Sequence, residues 1–212
     1  MSSVTVLKHP LVNDRIRTLR DRDTDTELFR KALKELGLIL AMESTRDLPT
    51  KETTVITPLG VEAKAEEVDS ARYLLVPVLR AGLGFVESFL EFLPKAKVAH
   101  IGVARDHDTL EARTYLFSVP ANPSDYDEVF ILDPMLATGN SSVKVLELLS
   151  KAGFLANNVR LVCGFSVEVG IKQINQKFPG VHIITATIDS GLNEVGYIVP
   201  GLGDAGDRLF LP

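Results

Sequence analysis

One stretch limits what this chain can fold into: Glu128-Val-Phe-Ile-Leu-Asp-Pro-Met-Leu-Ala-Thr-Gly-Asn-Ser-Ser142. The apolar run Val129 to Leu132 is rich in branched and aromatic side chains and reads as a strand buried on both faces. Asp133 breaks the pattern where the strand should end, which aims a carboxylate at whatever crevice lies beyond the sheet. The small, hydroxyl-bearing run Ala137-Thr-Gly-Asn-Ser141 follows. Val145, Leu146, Leu149 and Ala152 then recur at helical spacing, and Gly153 is a natural stop. The unit is strand, acidic tip, small polar loop, helix. The first N–H groups of a helix have no internal partner and carry partial positive charge, so a Thr/Gly/Ser loop leading into them is a cradle for phosphate. No Gly-Lys-Ser/Thr follows at Walker spacing, and the G-x-G-x-x-G dinucleotide pattern is missing.

The alternation continues on both sides. Strands are predicted over 73–79, 97–103, 115–119, 159–165 and 181–188, and helices over 85–93 and 169–177. Pro77 inside the first of these strands requires an edge or a bulge. The pattern implies an α/β fold, a mostly parallel sheet covered by helices on both faces with right-handed crossovers. Ligands of such sheets sit beyond the carboxyl ends of the strands. Arg80, Arg105, Asp133 and Asp189 each follow a predicted strand, which favours one shared crevice. Ahead of the alternation, residues up to about Arg22 read as an arm with a brief helix over 13–19. A strongly amphipathic helix then runs from a start at Thr24-Asp-Thr-Glu27 to about Met42. Thr53 to Thr57 and Val61 to Ala65 flank the Pro58-Leu-Gly60 turn and read as a hairpin outside the main sheet.

The chain has 212 residues, 45% of them apolar, enough for one sizeable core and one domain over 1–212. A net charge of −5 with no basic block argues against nucleic-acid binding, yet leaves room for a small anionic substrate held by a few arginines. The lone cysteine, Cys163, lies in an apolar run and reads as a small buried hydrophobe in a reducing compartment. The N-terminal residues lack the apolar core of a signal peptide, and no stretch approaches membrane-spanning length. A soluble cytoplasmic protein with no membrane partner is expected.

Four places could carry chemistry. Arg80 follows its strand directly, and a guanidinium there can grip phosphate oxygens with two prongs. Ala104-Arg-Asp-His-Asp-Thr-Leu-Glu111 is a long charged connection of the kind that often serves as a lid. His107 within it reads as an exposed loop histidine, and His9 as structural. Asp133 could accept hydrogen bonds from a ligand or cap its own turn. Asp189 to Asp207 is a glycine-rich, irregular segment after the last strand.

Asp133-Pro-Met-Leu-Ala-Thr-Gly-Asn-Ser141 resembles the loop of uracil phosphoribosyltransferases that binds phosphoribosyl pyrophosphate (PRPP). Asn140 stands where that family usually has a second glycine. Leu79-Arg-Ala-Gly-Leu83, the Arg105 excursion with Thr109-Leu-Glu111, and the C-terminal glycine-rich segment are similar to the same family, and the likeness covers Lys8 to Asp207. Ala112-Arg-Thr114 departs from it. The resemblance implies a type I phosphoribosyltransferase fold, with a small hood and a β-arm beside the sheet. Residues 1–50 would form an N-terminal helical arm and 189–207 a uracil-binding hood loop.

The resemblance also implies roles. Arg80, Arg105, Asp133 and Asp204 become the catalytic set. PRPP would meet these four and the loop Pro134, Met135, Leu136, Ala137, Thr138, Gly139, Asn140 and Ser141. Uracil would be read by main-chain groups of Ile198, Gly203, Asp204 and Ala205. Mg²⁺ would arrive mainly on PRPP, with no dedicated metal site. Some members respond to GTP as an allosteric activator, and dimers or higher homo-oligomers are common, though no motif here decides either. Three other readings stand beside this one: a transferase for another nucleobase, an RNA-binding regulator on the same fold, and an inactive ligand-binding relative. The C-terminal segment, the acid excess and the intact acids weigh against them in turn.

Overall fold

The computed structural model describes residues 3–105 and 112–211. It opens with β1 (Val4–Val6), α1 (Pro10–Arg20), α2 (Thr26–Ser44) and a hairpin of β2 (Lys51–Ile56) and β3 (Glu62–Glu67). Next come β4 (Tyr73–Leu79), α3 (Leu83–Phe92), β5 (Lys97–Val98), β6 (His100–Arg105) and β7 (Ala112–Ser118). The second half holds β8 (Glu128–Leu132), β9 (Met135–Leu136), α4 (Asn140–Lys151), β10 (Val159–Val167), α5 (Glu168–Lys177) and β11 (His182–Asp189). A short hairpin of β12 (Gly191–Leu192) and β13 (Ile198–Val199), then α6 (Ala205–Phe210), close the chain.

The main sheet runs β1-β11-β10-β8-β4-β6-β7, parallel except for the antiparallel edge strand β7. Alternate residues of the central strands feed two cores. Tyr73, Leu75, Phe130 and Leu132 pack toward α1, α2 and α3, where Leu33, Leu36, Phe85 and Phe89 are fully buried. Leu74, Val76, Val129 and Ile131 face Val145, Leu149, Ile171 and Ile174 of α4 and α5. Burial on both faces is why these strands read as unbroken apolar runs.

The β2–β3 hairpin forms its own two-stranded sheet, as its sequence suggests. Pro77 behaves differently from expectation, because β4 is a central strand. It is tolerated because the ladder on one side is broken there: β4 pairs with β5 at Leu74 and Leu75 and resumes with β6 at Val78 and Leu79. The N-terminal residues also differ. Val4–Val6 is an edge strand of the main sheet, and α1 starts at Pro10 rather than at 13. His9 is the N-cap of α1, its ring nitrogen accepting from Leu11 N at 3.1 Å, which settles its role as structural. Asp25 caps α2 by accepting from Leu28 N at 2.8 Å.

Arg160, at the start of β10, is buried but fully engaged. It donates to Ser44 O at 2.8 Å and to Asp47, and pairs with Glu128, tying the end of α2 to the sheet. Cys163 is a buried free thiol that burial pushes well up from its ordinary pKa, the behaviour of a packing residue. Among the described residues no helix is long and apolar enough to cross a membrane.

Candidate active site

Beyond the carboxyl ends of β4 and β8 lies a cavity of about 590 Å³. Arg80, Asp133, Met135, the run Ala137 to Ser142, and Asp204 all line it. Its size is that of a small-molecule site. The PRPP-like loop forms one wall because β8 stops at Leu132 and Asp133 N is held by Val162 O at 3.1 Å. Gly139 then turns the chain into α4 with φ +88°, a left-handed conformation that costs an L side chain but not glycine. A Cβ there would also stand 3.2 Å from Gly170 O of α5.

The first helical bond of α4 runs from Val143 N to Gly139 O at 2.8 Å, so the amides of Ser141 and Ser142 have no helical partner, while Asn140 N makes a long bond to Thr138 Oγ1 at 3.4 Å. Thr138 and Ser141 add hydroxyls to that end. Together they are equipped to hold an anion such as a phosphate. Asn140 is the first residue of α4, so the positive φ falls on Gly139 and the extra Cβ of Asn140 imposes no left-handed strain. Its Oδ1 accepts from Gln173 Nε2 of α5 at 3.0 Å, which turns the side chain toward protein. Asn140→Gly is therefore expected to leave the KM for a phosphate-bearing substrate within about threefold of wild type. A rise beyond about tenfold in steady-state kinetics would make the Asn140 amide a direct ligand contact.

Asp133 is buried, and its carboxylate is poorly solvated by its own protein. Oδ1 accepts from Met135 N at 3.3 Å and Oδ2 from Ser142 Oγ at 3.4 Å, both long bonds. Burial dominates these two bonds and pushes its pKa up to about 6. Such a carboxylate has acceptor capacity left for a vicinal diol.

Arg80 lies at the tip of β4, half-exposed, with Nη2 3.3 Å from Asp207 Oδ1. An exposed pair of this kind is worth about 0–1 kcal/mol, so an arriving polyanion can take the guanidinium over at little cost. Asp204 sits across the cavity as the N-cap of α6, its Oδ1 accepting from Asp207 N at 2.9 Å.

Not every expected residue faces the cavity. Leu136 is fully buried in the core, and the Pro134 carbonyl is taken by Gly164 N and Phe165 N at 3.1 and 2.8 Å. Of the four residues expected to read a base, only Asp204 lines this cavity; Ile198 and Ala205 are buried beside it in the hood, and Gly203 is exposed. Asp189 ends β11 but is engaged by Arg20 and Gly201 N instead of lining the cavity, which corrects the single crevice inferred for the four strand tips. Arg105 ends β6; the rest of its excursion, including His107 and Thr109 to Glu111, lies outside the described residues.

Two lining residues with polar side chains, Ser142 and Tyr115, are absent from the sequence-based set. Ser142 was one position beyond a loop already rich in hydroxyls. Tyr115, on β7, packs across Gly102 of β6, so closely that a Cβ on Gly102 would meet the ring at 2.4 Å. A glycine in one strand facing a tyrosine in the next was its only trace in the sequence.

Known proteins match this chain along its whole length. The family model described as Uracil phosphoribosyltransferase matches residues 6–211. The uracil phosphoribosyltransferase of Agrobacterium fabrum is 46% identical over 99% of both chains, and that of Levilactobacillus brevis 42% identical over the same shares. A solved structure of an Aquifex aeolicus protein superposes with a TM-score of 0.88 at 38% identity over 98% of each chain. A hypoxanthine-guanine phosphoribosyl transferase from L. donovani shares the fold alone, with 12% identity, a TM-score of 0.50, and 75% of this chain and 79% of that one covered. The loop from Asp133 to Ser141 and the glycine-rich hood thus lie within a match that spans nearly every residue, and the chain belongs to the uracil phosphoribosyltransferase family.

Proposed function

We propose that this chain transfers the 5-phosphoribosyl group of PRPP to uracil, giving UMP and pyrophosphate, as a pyrimidine salvage step. The observation that carries the reading is the cavity itself. It joins the Asp133–Ser142 loop to Asp204 of the hood, two segments remote in sequence, with Arg80 between them. In this reading N1 of uracil gives up its proton and bonds to C1 of the ribose as the C1–O bond to pyrophosphate breaks. The route is direct displacement through an oxocarbenium-like state.

The protein's part is positioning and charge stabilisation. The amides at the start of α4, with the hydroxyls of Thr138 and Ser141, hold the 5-phosphate. Asp133 accepts from the ribose hydroxyls. Arg80 and Arg105 take up charge that gathers on the departing pyrophosphate. Mg²⁺ enters as part of the PRPP substrate and offsets polyphosphate charge; Asp204 is a hard oxygen donor of the type that suits it. Main-chain groups of Ile198 and of Gly203 to Ala205 match the acceptor–donor–acceptor edge of uracil, and cytosine would set an amino group against a donor. The cytoplasmic setting, GTP as an activator, and assembly as a homodimer or larger oligomer belong to the same proposal through the family.

Purified protein given PRPP, Mg²⁺ and a panel of nucleobases should form UMP from uracil and little product from cytosine, hypoxanthine or adenine. Nucleotide made from a purine, or none from uracil, would remove the reading. Arg105→Ala should lower kcat by about tenfold or more while the fold survives. A wild-type rate would show that Arg105 takes no part.

A further inference from the structure

The hood has little regular structure of its own. Its one ladder, β12 with β13, pairs only Gly191 with Val199 and Leu192 with Ile198. A base read by main-chain groups nevertheless needs that main chain held still. The hydrogen bonds show where the restraint comes from. Asp189, at the end of β11, has a side chain only 3% exposed. Its Oδ1 accepts from Arg20 Nη2 at 2.5 Å, and its Oδ2 accepts from Arg20 Nη1 at 2.8 Å and from Gly201 N at 2.9 Å. Arg20 Nη1 also donates to Gly201 O at 2.8 Å. One ion pair therefore holds both the N–H and the C=O of the same residue.

That residue is in an unusual position. Gly201 has φ +56°, and a Cβ on it would lie 2.1 Å from Ile198 O, so its backbone is folded directly against Ile198. The Arg20 guanidinium is backed by the Phe165 ring at 5.0 Å, which fixes its plane. The next carbonyl, Leu202 O, is held from the other side by Arg208 Nη1 at 2.9 Å, and Arg208 Nη2 reaches Asp21 O at 2.8 Å. Two arginines thus fix consecutive hood carbonyls against the end of α1. Taking a carboxylate and a guanidinium out of water is costly, and packing alone could have filled the same space more cheaply. A buried pair with its remaining bonds aimed at one loop residue is suited to setting position.

We propose that Arg20 and Asp189 are positioning residues that set the main chain of 201–205 for reading the base, and so determine affinity for uracil and discrimination against cytosine. The inference rests on the base-reading role proposed for that segment. Neither residue touches the cavity that takes PRPP.

The test uses the full-length protein with Arg20→Lys and Asp189→Asn. Lysine keeps the charge but cannot hold two carboxylate oxygens and a carbonyl in one plane. The KM for uracil should rise by about tenfold or more, with the KM for PRPP within about twofold, and the uracil-to-cytosine ratio of kcat/KM should fall by about tenfold. A clamp that only stabilises the fold would lower the melting temperature and leave both KM values and the ratio unchanged, which would overturn the proposal. If either single change prevents folding, the neutral pair R20Q/D189N leaves no buried ion unpaired, and a normal uracil KM in that variant would overturn it equally. Wild-type protein run in parallel separates the two failures. If it makes no UMP, the function itself falls, whereas active wild type beside indistinguishable variants removes the clamp alone.

Discussion

Asp133→Asn is expected to yield a protein at least as stable as wild type and nearly inactive. The reason lies in the opposed demands on that side chain. Its pKa, pushed up to about 6 by burial, lies above the ordinary 3.8, so the native state binds this proton more tightly than the unfolded chain. The native state therefore loses stability as pH rises from 3.8 through 6, and above that the full cost of the buried charge, roughly 3 kcal/mol, applies. Asparagine removes the charge but keeps the shape, and after its imperfect match to Met135 N and Ser142 Oγ a gain of about 1–2 kcal/mol at pH 8 should remain in denaturant unfolding. Activity moves the other way. An amide offers a diol one acceptor in place of two carboxylate oxygens, and kcat/KM for PRPP should fall by about 10² or more. Unchanged PRPP kinetics would remove the ribose role of Asp133.

The same carboxylate should write itself into the pH profile. Below pH 6 the free protein holds Asp133 protonated, so kcat/KM for PRPP should decline on the acid side with a midpoint near 6. Ribose hydroxyls donating to the carboxylate favour its ionised form, so the midpoint in kcat should lie lower than the one in kcat/KM. A kcat/KM profile flat from pH 5 to 8 would contradict this.

Arg80→Ala should lower kcat/KM for PRPP by about 10²–10³, the usual loss when a donor to developing charge is removed. Its ion pair with Asp207 is half-exposed, so stability should change by less than about 1 kcal/mol. Arg80→Lys should recover only part of the rate, because an ammonium cannot supply the two-pronged grip. Loss of activity together with loss of the fold would mean that Arg80 supports the structure instead.

What the sequence disclosed followed from distance along the chain. The strand, acid, loop and helix from Glu128 to Lys151 form one contiguous unit, so apolar runs and helical spacing were enough to locate the phosphate cradle. The separate hairpin around Gly60 and the buried Cys163 were legible for the same local reason. The edge strand at Val4–Val6 was not, because three residues carry little period and its partner β11 lies at the far end of the chain. Asp189 was mistaken for a cavity residue because its place after a strand is visible in sequence, while its partner Arg20 is 169 residues away. Pro77 suggested an edge strand or a bulge; β4 is central, and the proline is accommodated where its ladder passes from β5 to β6.

The most direct test of the proposed site is a crystal structure of the protein with UMP. The phosphate should lie within hydrogen-bond distance of the amides of residues 139–142, the ribose hydroxyls on Asp133, and the base edge on the main chain of residues 198–205. A phosphate bound away from the start of α4, or a base touching none of the hood, would contradict it.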